Sequence, residues 1–152
     1  MPSRVPLVTL VILDGWGLAP PGPGNAVELA DTPPRWRYRL MGTKMVERLG
    51  VDLTGRYHDE ALGSKYASYL TQLNSEIRQV RRPLYTESVL KTDDGDTLLT
   101  KRMLVPLTSG GDEVAMILGA QTYHGGRSAP PHSMVLTDRG DIEEVRRRLM
   151  SE

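Results

Sequence analysis

The hydrophobic and polar positions of this chain follow a helical period in one long stretch. From Ser64 to Val80 the apolar residues recur every three or four positions, which predicts an amphipathic helix with Ser64 as its N-cap. The apolar face of this helix comprises Tyr66, Tyr69, Leu70, Leu73, Ile77 and Val80. Burial of six such side chains requires an apolar partner, so we expect the helix to lie on a sheet.

The stretches after this helix are rich in β-forming residues and predict three strands. They cover Leu84–Lys91, Thr97–Leu107 and Val114–Tyr123. The turn sequences at 93–96 and 109–112 both contain glycine, so the three strands are predicted to form an antiparallel meander. Pro106 lacks an N–H donor for the sheet, and we expect a bulge or a strand end near it.

Shorter elements are predicted ahead of the long helix. The segment from Trp36 to Leu40 alternates, with Trp36, Tyr38 and Leu40 on one face, as in a half-buried strand. Thr43 is the expected N-cap of a helix that Gly50 ends, with Met45, Val46 and Leu49 on its apolar side. Residues 52–55 predict a turn that leads to another short helix.

Both ends of the chain differ in composition from its centre. Seven of the 11 prolines lie in residues 1–34, around one apolar run, Leu7–Leu13, that is typical of a buried strand. Residues 125–140 contain glycine and proline pairs and predict a linker or loop. Asp141 is the expected cap of a final helix that either packs on the sheet or projects, with Ile142, Val145 and Leu149 on one face. The predicted parts are therefore 1–34, 35–124 and 125–152.

The order of these elements predicts an α+β fold, with helices on one face of an antiparallel sheet. A chain of 152 residues is long enough for one domain with its own core. The absence of cysteine excludes a disulfide framework, a thiolate zinc site and a cysteine nucleophile.

The charge balance excludes some classes of partner. Lys+Arg and Asp+Glu both number 19, so we expect no nucleic-acid partner. The basic run at 146–148 lies beside Glu143 and Glu144 and is interpreted as a solvated helix face. The run Leu7–Leu13 is too short to span a bilayer and is followed by Asp14, which predicts a cytoplasmic protein without a membrane partner.

Two motifs carry a resemblance to a known family. Residues 37–43 read RYRLMGT and residues 49–56 read LGVDLTGR, and both resemble the opening of a bacterial PAS-domain family. The later segments 83–85, 104–107 and 117–119 are also similar to strands of that family. The resemblance covers about residues 36–124 and implies a PAS-like antiparallel sheet with helices on one face.

The PAS resemblance implies a sensory domain that binds a small apolar ligand or a protein partner, without catalytic activity. It also implies a homodimer, because PAS sheets often pair. The candidate ligand-binding residues are Tyr66, Tyr69, Leu73, Met103, Val105 and Met116; alternatively these side chains fill a dry core. The cofactor is unknown. His58, in a polar stretch, either approaches a haem or is an exposed or hydrogen-bonded histidine.

The N-terminal segment resembles a different family. Residues 11–17 read VILDGWG and residues 24–26 read GNA, followed by Ala30 and Thr32-Pro33. Over residues 8–33 this pattern is similar to the N-terminus of cofactor-independent phosphoglycerate mutase. The resemblance implies that Asp14 is a metal ligand, and a carboxylate at a strand end suits Mn²⁺.

The mutase resemblance provides an alternative function, a truncated mutase remnant that is inactive as it stands. The mutase mechanism needs a nucleophilic serine and further aspartate and histidine ligands in contexts that these 152 residues do not contain. We therefore predict no catalytic residues, and Mn²⁺ only under this alternative. Residues 1–34 either replace an edge strand of the PAS-like sheet or form a loosely attached leader.

Overall fold

The computed structural model describes residues 9–15, 35–91, 95–108, 112–125, 135–138 and 140–151, and for 9–15 the backbone. Nine elements occur in these ranges. They are β1 (Thr9–Gly15), β2 (Trp36–Met41), α1 (Thr43–Leu49), α2 (His58–Ala61), α3 (Ser64–Val80), β3 (Leu84–Lys91), β4 (Thr97–Thr108), β5 (Val114–Gly125) and β6 (Asp141–Leu149).

The six strands form one antiparallel sheet in the order β2-β1-β5-β4-β3-β6. The helices cover one of its faces, so the predicted α+β class is confirmed. The helix predicted from Ser64 to Val80 is α3, and the predicted meander is β3, β4 and β5. None of the helices in the described ranges is long and apolar enough to cross a membrane.

The irregularity expected near Pro106 lies one residue beyond it. Leu107 pairs with Met116 but Thr108 pairs with Val114, which leaves Ala115 as the extra residue of a bulge in β5. The pairing of β4 with β3 ends at Leu104, so Pro106 interrupts no ladder on that side. The two predicted turns, 93–96 and 109–112, lie largely outside the described residues.

The start of α3 differs from the prediction. Its N-cap is Gly63, which forms no side-chain cap, and Ser64 instead donates a hydrogen bond from Oγ to Oδ1 of Asp138 at 2.8 Å. The Gly63 N–H donates to the Val135 carbonyl at 3.0 Å, and a Cβ on Gly63 would overlap the carbonyl of Thr137. Glycine therefore lets residues 135–138 pack against the first turn of α3.

The predicted C-terminal helix is wrong, because residues 141–149 form strand β6. This strand pairs along the whole of β3, from Lys91 opposite Asp141 to Leu84 opposite Leu149. The spacing of Ile142, Val145 and Leu149 also fits a helix, but a bulge between Glu144 and Arg146 leaves Val145 exposed and keeps the other two on the covered face.

Strand β2 was predicted correctly, but its face assignment was wrong after Tyr38. Leu13 pairs with Tyr38 while Ile12 pairs with Leu40, so Arg39 is an extra residue in β2. The bulge reverses the alternation, which buries Met41 and leaves Leu40 51% exposed. Helix α1 follows with Gly42, not Thr43, as its N-cap, and ends at Gly50 in the left-handed conformation with φ 72°.

The N-terminal strand occupies an interior position. Strand β1 pairs with β2 on one side and with β5 on the other, so the expectation that this segment supplies an edge strand is wrong. In the described part of the chain, the edges of the sheet are β2 and β6. Residues 1–8 and 16–34 lie outside the described residues.

Candidate functional site

The buried face of the central strands carries polar residues in the middle and apolar residues at both ends. Cross-strand partners share a face, so the pairing of β3, β4 and β5 defines rows across the sheet. We call the two middle rows the polar band; they comprise Thr86, Arg102 and Gln121, and Ser88, Thr100 and Tyr123. We call the flanking rows the leucine rows; they comprise Leu84 and Leu104 on one side and Leu90 and Leu98 on the other.

Arg102 is the centre of the polar band and is only 2% exposed. Its Nε donates to Oε1 of Gln121 at 3.0 Å, and one terminal nitrogen donates to the hydroxyl of Tyr66 on α3 at 2.7 Å. Its other terminal nitrogen lies 3.5 Å from Oγ1 of Thr86, at the limit of a hydrogen bond. Within the described ranges, no carboxylate lies within 4.0 Å of this guanidinium.

Tyrosine side chains surround the guanidinium. The Arg102 Cζ lies 5.9 Å from the ring centroid of Tyr66 and 5.8 Å from that of Tyr69, within the range of a cation–π interaction. The Tyr123 hydroxyl accepts a hydrogen bond from Nε2 of Gln121 at 2.8 Å. Burial raises the pKa of Tyr38, Tyr69 and Tyr123, so these phenols are neutral at physiological pH.

His58, the first residue of α2, lies in the core. The expectation of an exposed or hydrogen-bonded histidine is therefore wrong. His58 is 1% exposed, its ring centroid lies 4.6 Å from that of Tyr38, and neither ring nitrogen has a hydrogen-bond partner. Burial lowers the pKa of His58 to about 3, and Arg102 contributes to the same shift. The imidazole is therefore neutral, with one donor and one acceptor available.

The rim of the site is formed by α3 and β6, where acids and bases pair. Tyr69 donates to Oε2 of Glu144 at 2.9 Å, and Arg147 binds both oxygens of Glu144 at 2.8 and 2.9 Å. Arg147 also binds Glu76 of α3, and Lys65 binds Asp141 at 2.6 Å. Burial raises the pKa of Glu144, but the hydrogen bonds from Arg147 and Tyr69 outweigh it and leave the pKa below its usual value.

The structure does not bring the six predicted ligand-binding residues together. Tyr66, Tyr69 and Leu73 lie on the covered side of the sheet, on α3. Met103 and Val105 lie on the opposite face of β4, because Arg102 and Leu104 occupy its buried face. Met116 pairs with Leu107 and shares that outer face.

The sequence analysis did not predict that five polar and aromatic residues form one buried cluster. These residues are Tyr38, His58, Arg102, Gln121 and Tyr123. On β4 the odd-numbered positions include Leu99, Met103 and Val105 and are the more apolar set, so alternation alone favoured the wrong face. The meander register contained a usable signal. It places Thr86 opposite Arg102 and Ser88 opposite Thr100, and four adjacent polar residues between leucines indicate a buried polar site.

Asp14, the metal ligand of the alternative function, lies at the end of β1. Its backbone pairs with Arg37 of β2 and Met116 of β5. Across the residues that the structure describes, no group of three or more histidine or acidic side chains could hold a metal ion.

Comparisons with known proteins found a match to part of the chain. A segment of 26 residues, 17% of this chain, is 77% identical to the 2,3-bisphosphoglycerate-independent phosphoglycerate mutase of Chloroflexus aurantiacus. The corresponding enzymes of Herpetosiphon aurantiacus and Thermomicrobium roseum are 73% identical over 26 residues and 57% identical over 31. The matched segment spans only 5–6% of the length of these relatives. No family model matches the chain.

Proposed function

We propose that this chain is a PAS-like sensory domain that binds a small molecule between α3 and the sheet, without catalysis. The observation that carries the proposal is the buried polar cluster around Arg102. Among the described residues, no carboxylate pairs with Arg102, and His58, which interacts electrostatically with Arg102, has no hydrogen-bond partner. Buried polar groups are normally satisfied, so an imidazole without a hydrogen-bond partner near a buried charge favours a binding site.

The placement of the two PAS-like motifs supports this proposal. Residues 37–43 form β2 and the entry to α1, and Gly50 of the second motif ends α1. Residues 52–56 then return to β2. There the backbone carbonyl of Tyr38 accepts from the Gly55 N–H at 2.7 Å, and the Tyr38 N–H donates to the Arg56 carbonyl at 3.0 Å. The motifs therefore form one local unit, and Tyr38 connects this unit to His58.

The absence of catalysis is part of the proposal and rests on chemistry. Phosphoryl transfer through serine needs an activated nucleophile and metal-stabilised charge. Ser64 donates its hydroxyl hydrogen to Asp138 at the protein surface, and no histidine in the described ranges forms a hydrogen bond with it. This hydrogen bond, together with that from the Gly63 N–H to the Val135 carbonyl, joins residues 135–138 to the first turn of α3, which is a structural role for Ser64.

Native mass spectrometry tests the proposed function. The protein is purified from the cells that produce it and measured beside a denatured control. A discrete additional mass that disappears on denaturation is the expected result. A bare chain mass in every preparation, with no change in thermal stability across a metabolite library, would overturn small-molecule binding and favour a protein partner.

A second candidate function is an inactive mutase remnant, favoured by the 77% identity over 26 residues. Under this alternative Asp14 binds Mn²⁺. Isothermal titration with Mn²⁺ separates the candidates: tight stoichiometric binding that is lost in Asp14→Asn supports the remnant. Asp112→Asn is the matched control, since Asp112 is exposed and forms a long ion pair with Arg81, at 3.8 Å.

The homodimer and the cytoplasmic location also stay proposals. Met103, Val105 and Met116 lie partly exposed on the outer sheet face, where a second copy could pack. Sedimentation at high concentration tests the dimer, and a monomer throughout the concentration range contradicts it.

A further inference from the structure

The charge of Arg102 is the least compensated feature of the buried site. A guanidinium is always protonated in proteins and offers five N–H donors. Two of these donors have acceptors within 3.0 Å, the side-chain amide of Gln121 and the hydroxyl of Tyr66, and neither acceptor is a carboxylate. Burial of a charge without an opposite charge is costly, so an anion beside Arg102 would relieve an existing cost.

The acidic side chain at the rim of the site, Glu144, already has its own hydrogen-bond partners. Glu144 interacts electrostatically with Arg102. Its two oxygens, however, accept hydrogen bonds from the Tyr69 hydroxyl and from Nε and one terminal nitrogen of Arg147. It lies at the rim on β6 and is not in ion-pair contact with Arg102. The neutral tyrosines cannot supply the missing charge.

The surroundings of Arg102 favour a small ligand with one charge and an apolar body. It is the buried cation of the polar band, and the leucine rows lie on both sides of that band. Gly119, opposite Leu104 and next to the Arg102–Gln121 pair, contributes no side chain to this face. A glycine inside a strand often marks the close approach of a ligand.

The hydrogen-bonding groups around the arginine suit a carboxylate. The planar guanidinium matches the two oxygens of a carboxylate. His58 provides a further donor from α2, since neither of its ring nitrogens has a hydrogen-bond partner in the described part of the chain. A phosphate carries more charge and more acceptors than one buried cation can balance.

We propose that the polar band binds a small organic monocarboxylate, with its carboxylate on Arg102 and its apolar body against the leucine rows. This inference rests on the proposed ligand-binding function and names the ligand class for the same site. The ligand would complete the hydrogen bonding of Arg102 and join the helices to the sheet.

The test uses the full chain and two pairs of probes. Butyrate and benzoate are compared with their neutral amides, butyramide and benzamide, by thermal unfolding and isothermal titration. The carboxylates are expected to raise the melting temperature and to bind at least ~10-fold more tightly than the amides, since a hydrogen bond to a charged group is worth ~1.5–3 kcal/mol.

Arg102→Met removes the charge at similar length and is expected to weaken benzoate binding about 10- to 100-fold. Arg102→Lys keeps the charge without the planar fork and should weaken binding less. Arg146→Met is the matched control, because Arg146 is exposed on β6 and pairs with Glu87. It should bind benzoate as the wild type does. Circular dichroism establishes whether each variant is folded. If Arg102→Met is not folded, the benzoate affinity of Arg102→Lys tests the inference instead.

The outcomes separate this inference from the proposed function. Equal binding of acids and amides, unchanged in Arg102→Met or Arg102→Lys, overturns the anion inference and leaves ligand binding intact. A neutral ligand identified by mass spectrometry does the same. No response to any probe, together with a bare native mass, overturns both.

Discussion

The leucine rows and the polar band occupy the same buried sheet face, yet their energetic roles are opposite. Leu84, Leu98 and Leu104 are almost completely buried and gain free energy from leaving water. Arg102 and His58 are equally buried, but among the described residues Arg102 has no counter-ion and His58 has no hydrogen bond. The contrast indicates that stability comes from the ends of the face, whereas the middle is the site at which we propose binding.

The largest expected effect concerns the leucine rows. Leu104→Ala should lower the free energy of unfolding by about 2–5 kcal/mol, because it removes buried methyl groups and leaves a cavity. Urea denaturation measures this loss. Leu40→Ala is the matched control and should change stability by less than ~0.5 kcal/mol, since Leu40 is 51% exposed. Equal losses in the two variants would mean that the leucine rows are not the main source of stability.

The next effect concerns His58, on the helix side of the polar band, and depends on pH. His58 has a pKa of about 3 when folded and about 6.5 when unfolded, so the unfolded chain binds more protons between these values. Stability should therefore fall as the pH decreases from 6.5, by ~2–3 kcal/mol at pH 4.5 at about 1.4 kcal/mol per pH unit.

His58→Phe keeps an aromatic ring beside Tyr38 and has no group to protonate. This variant should lose most of the decrease between pH 6.5 and 4.5 in urea denaturation, while His124→Asn, at an exposed position, should keep it. A His58→Phe protein with the acid sensitivity of the wild type would contradict a neutral, buried His58.

The smallest effect is expected at the surface, where charges are paired but hydrated. Lys91 binds Glu143 at 2.5 Å across β3 and β6, and both side chains are more than half exposed. Lys91→Met should therefore change the free energy of unfolding by less than ~1 kcal/mol, and added salt should reduce the difference. A loss as large as that of Leu104→Ala would show that this ion pair holds β6 to the sheet.

Local sequence patterns were sufficient for the central elements of the fold. The helix from Ser64 to Val80 and the three-stranded meander were predicted with nearly the observed bounds, because their periodicity extends over many residues. The candidate site was predicted only in part. Tyr66, Tyr69 and Leu73 face the sheet, whereas Met103 and Val105 lie on its other face.

Residues 141–149 show why the remaining elements could not be predicted. Their charged residues and the spacing of Ile142, Val145 and Leu149 are compatible with a helix. The edge of β3 offers eight cross-strand partners, among them Glu87 for Arg146, and a diagonal ion pair joins Lys91 to Glu143. Pairing with a distant strand therefore decides the structure, and no local period reports it.

The sequence by itself determined the class of the fold, the long helix, the meander and the absence of cysteine chemistry. These properties follow from local period, turn residues and composition. Only the tertiary structure decided that β1 lies between β2 and β5, that 141–149 is a strand, and that β4 buries Arg102 rather than Met103. Each of these depends on which distant strand or helix covers a given face, and that choice assembles the polar band.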